Sequence, residues 1–421
     1  MGMVITTCTF AQQPGDLDLN FGTDGISTVD ANSQGLDDGA NMITVQSDGG
    51  LLVVGRIKTG TFVTESDMLI ARYSTDGIVD PQFGQSGFTI TDLGGEFESL
   101  FGIYEKPDGK ILAGGSSNQS GNSQQTLIQY NENGLIDQNF GNNGVIYTSA
   151  TLSSASITSM VSDSDGNVLT TGSGNGNILV VKFENNGTLY NSFGTSGVAI
   201  HDLGLIESGY EMLLQTDGKI LVTGTQNESG NPENGIVVRL ESDGSLDLTF
   251  NGTGWVDLAL SENTDRSTDL ALLPDGRILV TGIVPNASVT ALEIFAVRLM
   301  PDGSYDNTFG TNGIARYDIG AGDDYANDVI LQPDGKAIIG GYENDGNDNN
   351  FCLIRINEDG TLDQTFGDNG VVITEVSTDN DRIASMALQP DGKLVVAGSA
   401  RIGTNDDIAL ARYHTGLNLS V

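Results

Sequence analysis

The sequence predicts an all-β fold: a seven-bladed β-propeller of four-stranded antiparallel blades, closed by an N-terminal outer strand that joins the last blade. Three observations predict it. A phenylalanine anchor recurs seven times, an Asp-Gly turn signature runs in phase with it, and the first unit opens at the point in the repeat where the last unit stops.

The anchor stands at Phe21, Phe83, Phe140, Phe193, Phe250, Phe309 and Phe366, with successive spacings of 62, 57, 53, 57, 59 and 57 residues. A period near 57 residues that varies by a few marks one structural unit with loops of unequal length. Four residues after each anchor stands a glycine, Gly25, Gly87, Gly144, Gly197, Gly254, Gly313 or Gly370, as expected where the backbone turns sharply before a strand. The phenylalanine reads as a buried wedge at the base of each blade.

Each unit also carries "QSDGG", "KPDGK", "DSDGN", "QTDGK", "LPDGR" or "QPDGK" before an apolar run such as "ILVTG" or "LVVAG". Asp-Gly between two β-prone runs is a hairpin signal, because glycine takes positive φ cheaply and proline presets the preceding position. A third strand follows in segments such as "MLIARY", "GIVVRL" and "IALARY", and a fourth follows the Phe-Gly turn, as in "GVVITEV". No segment has helical periodicity with caps.

Four strands at this period describe a propeller blade. The first unit opens at "GDLDLNFG", the connection from third to fourth strand, and the last reaches the start of that connection at "ARYHTGLNLSV". The N-terminal segment therefore supplies the outer strand of the final blade. A linear stack would instead need terminal units with polar outer faces.

The phrases "DGSLDLTFNGTG" and "QPDGKILVTG" resemble the delta-60 repeat of large exported bacterial surface proteins, and the resemblance extends from about residue 15 to 418. It implies a propeller, and it implies association with type IX secretion through a C-terminal sorting domain that is expected to lie outside residues 15–421. On that reading the chain is a passenger domain with no ligand of its own. The family implies little about biochemical activity.

Composition bounds the partners. Eighteen Lys and Arg against 56 Asp and Glu give a net charge of −38, a field that repels nucleic acid and anionic membranes. The two cysteines, Cys8 and Cys352, cannot build a disulfide framework. No run of 18 apolar residues occurs, so no helical membrane span is expected. Thr9-Phe10-Ala11 before polar Gln12 suggests the end of a secretory signal, although the basic n-region is missing. Residues 1–14 are thus expected to be a signal-peptide remnant or disordered tail, and residues 15–421 a single propeller, monomeric and secreted or at the cell surface.

Candidate site residues fall on two faces. Beside the Asp-Gly turns, Lys110, Lys219, Arg277, Lys336 and Lys393, with third-strand Arg72, Lys182, Arg239, Arg298, Arg355 and Arg412, make up 11 of the 18 positive charges. They face Asp18, Asp80, Asp137, Asp247, Asp306 and Asp363 of the "LDxxF" motif, and a repeated ion pair of this kind reads as scaffold. On the opposite face the loops vary in length and composition, as in "IKTGTFVTESD", "SSNQSGNSQQ" and "YENDGNDNN", which is how rigid scaffolds display binding surfaces.

Ten residues before the Asp of each Asp-Gly turn stand Asp38, Glu98, Ala155, Glu207, Asp265, Asp324 and Asp381, acidic in six of seven units. They are expected where the innermost strands begin, around the channel mouth. There they either attract calcium or a basic ligand or accept backbone hydrogen bonds from the next blade. Phe62, Phe97, Tyr210, Tyr325 and Tyr342 on the same face either stack on a sugar or protein partner or pack between blades.

Catalytic motifs are absent. With only His201 and His414 a histidine metal centre is not expected, and there is neither a G-x-S-x-G elbow nor a Walker loop. The expected function is a non-enzymatic binding or display scaffold for a protein or glycan, without a cofactor other than the calcium considered above. The alternative is a polysaccharide-active hydrolase or lyase with acids near the channel mouth.

Overall fold

Each copy of the repeat folds as four antiparallel strands running from the centre of a ring to its rim. The structure is a computed structural model and describes residues 12–31, 35–60, 65–118, 122–148, 154–228, 231–417 and 419. The expectation for residues 1–11 lies outside these, as does Phe62. Blade 1 comprises Asp38–Val45, Leu51–Lys58, Ser66–Tyr73 and Phe88–Thr91, and blades 2 to 6 repeat the order inner, second, third, outer. In blade 7 the outer strand is Ile26–Val29 from the N-terminal side, paired from Ile26↔Ala411 to Val29↔Ile408. The ring is therefore closed by two distant parts of the chain sharing one sheet, and no helix occurs among the described residues.

The second and third strands of every blade are almost continuously buried, as in "ILVTGIVP" (Ile278–Pro285) and "NNFCLIRI" (Asn349–Ile356), because neighbouring blades cover both faces of each sheet. Apolar clusters accordingly bridge adjacent blades; one joins Ile294 and Ala296 of blade 5 to Ile339 and Ile354 of blade 6.

The anchor phenylalanines are wedges between blades rather than plugs within one. A Cβ added to Gly77 of blade 1 would lie 2.4 Å from the Phe21 ring, and one on Gly303 of blade 5 would lie 3.0 Å from Phe250. The same seam joins Phe83 to Gly134, Phe193 to Gly244 and Phe309 to Gly360. The glycine four residues after each anchor has φ between +89° and +105°, so the backbone there requires glycine.

A cation ties most seams as well. Arg72, Arg239, Arg298, Arg355 and Arg412 each lie 4.5–4.9 Å over the anchor ring of their own blade, which for Arg412 is Phe21 from the N-terminal side. Each pairs with the aspartate of its own "LDxxF" motif, as in Arg239–Asp247 at 2.7 Å and Arg355–Asp363 at 2.7 Å. Each also donates across the seam to a carbonyl of the next blade: Arg72 to Glu132 and Arg412 to Thr75 at 2.7 Å, Arg239 to Pro301, Arg298 to Glu358, and Arg355 to Thr415. The repeated charges thus join blades as well as turns within a blade. In blade 2, where Gln129 replaces the arginine, Lys106 reaches the equivalent Asn185 carbonyl at 2.8 Å.

The two faces differ in regularity. Every turn from inner to second strand has five residues, Gln46–Gly50 in blade 1 and Gln389–Lys393 in blade 7. Loops from second to third strand range from two residues, 175–176 and 403–404, to seven, 59–65. One face is fixed by the ion-pair scaffold, and the other carries the variation.

Candidate functional site

On the variable face the chain enters each inner strand through a link folded over the ring, and the six acids ten residues before the Asp-Gly turns anchor those links. The sequence left these carboxylates either attracting a cation at the channel mouth or accepting backbone hydrogen bonds; in the structure they are buried, none more than 3% exposed, and accept backbone amides. Asp265 accepts from the Leu260 and Ser261 amides at 2.6 and 3.1 Å, and Asp381 from Val376 and Ser377 at 2.8 Å. Glu98 is held by Leu93 and Gly95, Glu207 by Leu203 and Leu205, and Asp324 by Ile319 and Gly320. Asp38 accepts from Ala31 and, across the seam, from Ile408 of blade 7. Burial pushes Asp38 up to about 7 and Asp324 up to about 6.

At two seams this position joins other acids. Asp30, Asp38 and Asp407 bring one carboxylate oxygen each to within 4.8 Å of one another, as do Asp67, Asp92 and Glu98. These are the described groups that could hold a calcium-like cation. At the matching place in blade 5, Arg316 instead supplies the positive charge, 3.1 Å from Glu293.

The channel wall comes from a feature that the sequence reading missed. In six blades the inner strand bulges, between Ala40 and Met42, Leu100 and Gly102, Gly209 and Glu211, Ser267 and Asp269, Ala326 and Asp328, and Ile383 and Ser385. Opposite each bulge stands the glycine that ends the apolar run, because the inner strand crosses there too closely for a side chain. A Cβ on Gly55, Gly224 or Gly398 would lie 1.8–2.0 Å from an inner-strand carbonyl oxygen. The bulges turn Asn41, Phe101, Tyr210, Thr268, Asn327 and Ala384 into a central cavity of 350 Å³.

Three carboxylates beside the bulges staple the wall. Glu211 accepts from Ser159 Oγ of blade 3 and from its own strand's Met212 amide at 2.9 Å. Asp269 accepts from Val329 of blade 6 at 2.6 Å, and Asp328 from Met386 of blade 7 at 2.7 Å. Burial first, and the neighbouring Asp328 carboxylate second, make Asp269 hold its proton more tightly. Burial raises Glu211 to about 7, Asp269 well above the carboxylate range, and Asp328 as well.

These shifts give a pH dependence with a definite sign. In the ring these carboxyls and Asp67, raised to about 6 by burial, keep their protons to higher pH than in the unfolded chain, where aspartate titrates near ~4. Across that window the folded state binds more protons, so stability falls as pH rises. On the turn face burial pushes Asp18 up, but the Lys393 hydrogen bond, the Asn20 amide and Arg412 outweigh it and hold the group at about 2. That contribution is lost only in stronger acid. Thermal denaturation is therefore expected to show a higher Tm near pH ~5 than at pH ~8, with a decline below pH ~3. A Tm that rises steadily from pH ~5 to ~8 contradicts the assignment.

The four described aromatic candidates lie on the variable face. Tyr325 and Tyr342 of blade 6 are stacked, with centroids 4.6 Å apart and rings 16° from parallel, and Arg382 of blade 7 lies 5.1 Å over Tyr342. Phe97 lies under Arg56 at 5.8 Å. Tyr210 accepts a hydrogen bond from Thr225 at 3.2 Å and lines the channel. At the register position after each buried acid stand Gly39, Ser99, Ser208, Arg266, Tyr325 and Arg382 in blades 1, 2, 4, 5, 6 and 7. Blades 5 to 7 thus present an Arg-Tyr-Arg arc where blades 1, 2 and 4 present small residues. His201 bonds the Gly244 carbonyl at 3.0 Å, and Cys352 is buried and free, so neither belongs to this face.

The repeat, the closed ring and the split into constant and variable faces define a seven-bladed β-propeller repeat protein. The chain belongs to the family described as a domain of unknown function (DUF5122) beta-propeller, whose model matches residues 46–83, 106–140, 215–250, 273–309, 332–366 and 389–419. No curated protein matches the chain. Among solved structures, the polysaccharide lyase Uly1 is similar in fold, with TM-score 0.53 and 12% identity over 89% of this chain and 90% of that one. Sqt1 from Chaetomium thermophilum gives TM-score 0.46 and 12% identity, covering 87% and 80% of the two chains. At such identities the likeness concerns the fold alone.

Proposed function

We propose that this protein is an exported or cell-surface binding module that presents its variable face to a glycan or protein partner and catalyses no reaction. The observation that carries this reading is the contrast between the faces. The turn face repeats one ion-pair scaffold around the ring with turns of fixed length, whereas the other face breaks the repeat in both loop length and side-chain chemistry. A surface that departs from its own repeat beside a rigid frame is a recognition surface. Export and passage through type IX secretion rest on the repeat resemblance and on the net charge of −38, which suits a soluble surface protein.

A glycan and protein binding screen tests the module. A bound partner is expected to be lost when the 59–65 and 345–348 loops are each replaced by the two-residue loop Gly403-Thr404, with Tm preserved. Binding that survives both replacements refutes the choice of face. The second reading, a polysaccharide-active enzyme, is favoured by Asp269 and Asp328, two acids lining the central cavity whose burial raises their hold on a proton. Polysaccharide turnover abolished by Asp328→Asn would establish it in place of the module.

A further inference from the structure

We infer that the variable face holds a subsite for an acidic carbohydrate at the seam of blades 7 and 1, gripped by Arg382 and Arg56. This inference rests on the binding-module reading and adds the chemistry of the ligand.

The argument begins with counting charges. Acids outnumber bases 56 to 18, so an arginine without a carboxylate partner is unusual in this chain. On the variable face Lys58 pairs with Asp37, Arg266 with Glu233, Arg316 with Glu293 and Arg401 with Asp406. Among the described residues, Arg56 and Arg382 have no carboxylate within 4.0 Å; each is exposed and lies over an aromatic ring, Phe97 or Tyr342. A guanidinium lying over a ring can still turn an N–H edge to an oxyanion. With the Asn349 side-chain amide turned so that its oxygen faces Arg382, Nε and Nη2 donate to it at 3.2 and 3.1 Å, which orients the guanidinium.

The two arginines flank one floor. Arg382 pairs in register with Ser399, and Arg56 with Gly39. A Cβ on Gly39 would stand 3.6 Å from that of Ser399 across the seam, so these two residues face each other there. The order around the mouth is Tyr342, Arg382, Ser399, Gly39, Arg56, Phe97: an arginine on an aromatic at each end and small residues between. Beneath lies a cavity of 250 Å³ that includes Asn41, Ser66 and Ser399. Its acids are already engaged: Asp37 by Lys58, Asp406 by Arg401, and Asp38 by backbone amides.

A polar floor without an apolar anchor pocket suits a polyhydroxylated chain better than a protein partner, whose binding energy concentrates in buried aromatic and apolar contacts. Two arginines one strand spacing either side of a seam suit a polymer carrying repeated carboxylate or sulfate groups. The net charge does not forbid this, because charges beyond about 8 Å are screened at physiological salt. It instead removes nonspecific attraction, so any polyanion held by this protein must be held locally.

The test is calorimetric titration with polygalacturonate, dextran sulfate and unsubstituted dextran. Binding of at least one charged polymer but not of dextran is expected, weakened at least about tenfold in the double variant Arg56→Gln/Arg382→Gln with Tm unchanged. The charged polymer that binds identifies the oxyanion. Dextran binding as tightly as the charged polymers, or a double variant binding like the parent, overturns the inference. Capture of only a neutral glycan or a protein overturns it too but leaves the binding module standing. A protein that binds nothing in the screen overturns both.

Discussion

Deletion of residues 15–30 is expected to abolish cooperative folding. The segment contributes the outer strand Ile26–Val29 of blade 7, the fully buried Phe21 and the fully buried Asp18. Asp18 is the carboxylate between Arg412 at 2.7 Å and Lys393 at 3.0 Å, and Arg412 is itself only 2% exposed. Removing the partner of a buried charge costs about 3–5 kcal/mol, and losing a buried aromatic about 3–5 kcal/mol more. The total is comparable with the whole stability of an ordinary domain, about 5–15 kcal/mol. Calorimetry should show no cooperative transition for the deleted chain, and a peptide spanning residues 12–31 should restore it. A deleted chain that melts sharply within a few degrees of the parent would mean that the ring is not closed by this strand.

Phe250→Ala is the second large effect. Its ring is fully buried against Gly303 of the next blade, with Arg239 at 4.5 Å over its face. Truncation empties the seam between blades 4 and 5 and removes the surface on which Arg239 rests. The expected loss is about 3–5 kcal/mol in denaturant unfolding. Leu248→Ala, two residues away and 65% exposed, should change stability by less than about 0.5 kcal/mol. Equal effects from the two substitutions would remove the wedge from the account.

The fold was legible because its signals recur. Phe250 or an Asp-Gly turn says little alone, but seven copies in phase exclude other placements, and the offset between the chain ends gives the closure. What the sequence hid was what each repeated residue touches. The phenylalanine was assigned to its own blade, although its partner is a glycine some 53 residues on, as Gly303 is for Phe250. The buried acids were visible as a spacing, but no pattern shows that the link preceding Asp265 folds back over it. Glu211, Asp269 and Asp328 were missed because a bulge shifts the alternation by one residue, so a side chain that a regular strand would send elsewhere enters the channel. The sign of the bulge was available in the glycine closing "ILVTG". Arg56 and Arg382 were also within reach, as two of the seven basic residues that fall outside the repeated positions.

One seam lacks the tie that the others possess. Between blades 3 and 4 the third-strand cation is Lys182, which pairs with Asp163 of its own blade at 2.9 Å, and no described side chain crosses to the carbonyl of Ser242. Blade 3 also has the shortest inner strand, Ser159–Ser162, and Ala155 where the other blades carry an acid. A closed ring has no free end from which to fray, so its breathing must gather where adjoining blades grip least. The seam of blades 3 and 4, joined by Ser159–Glu211 and His201–Gly244 in place of an arginine, is where that breathing is expected, across the circle from the place where the two ends are sewn together.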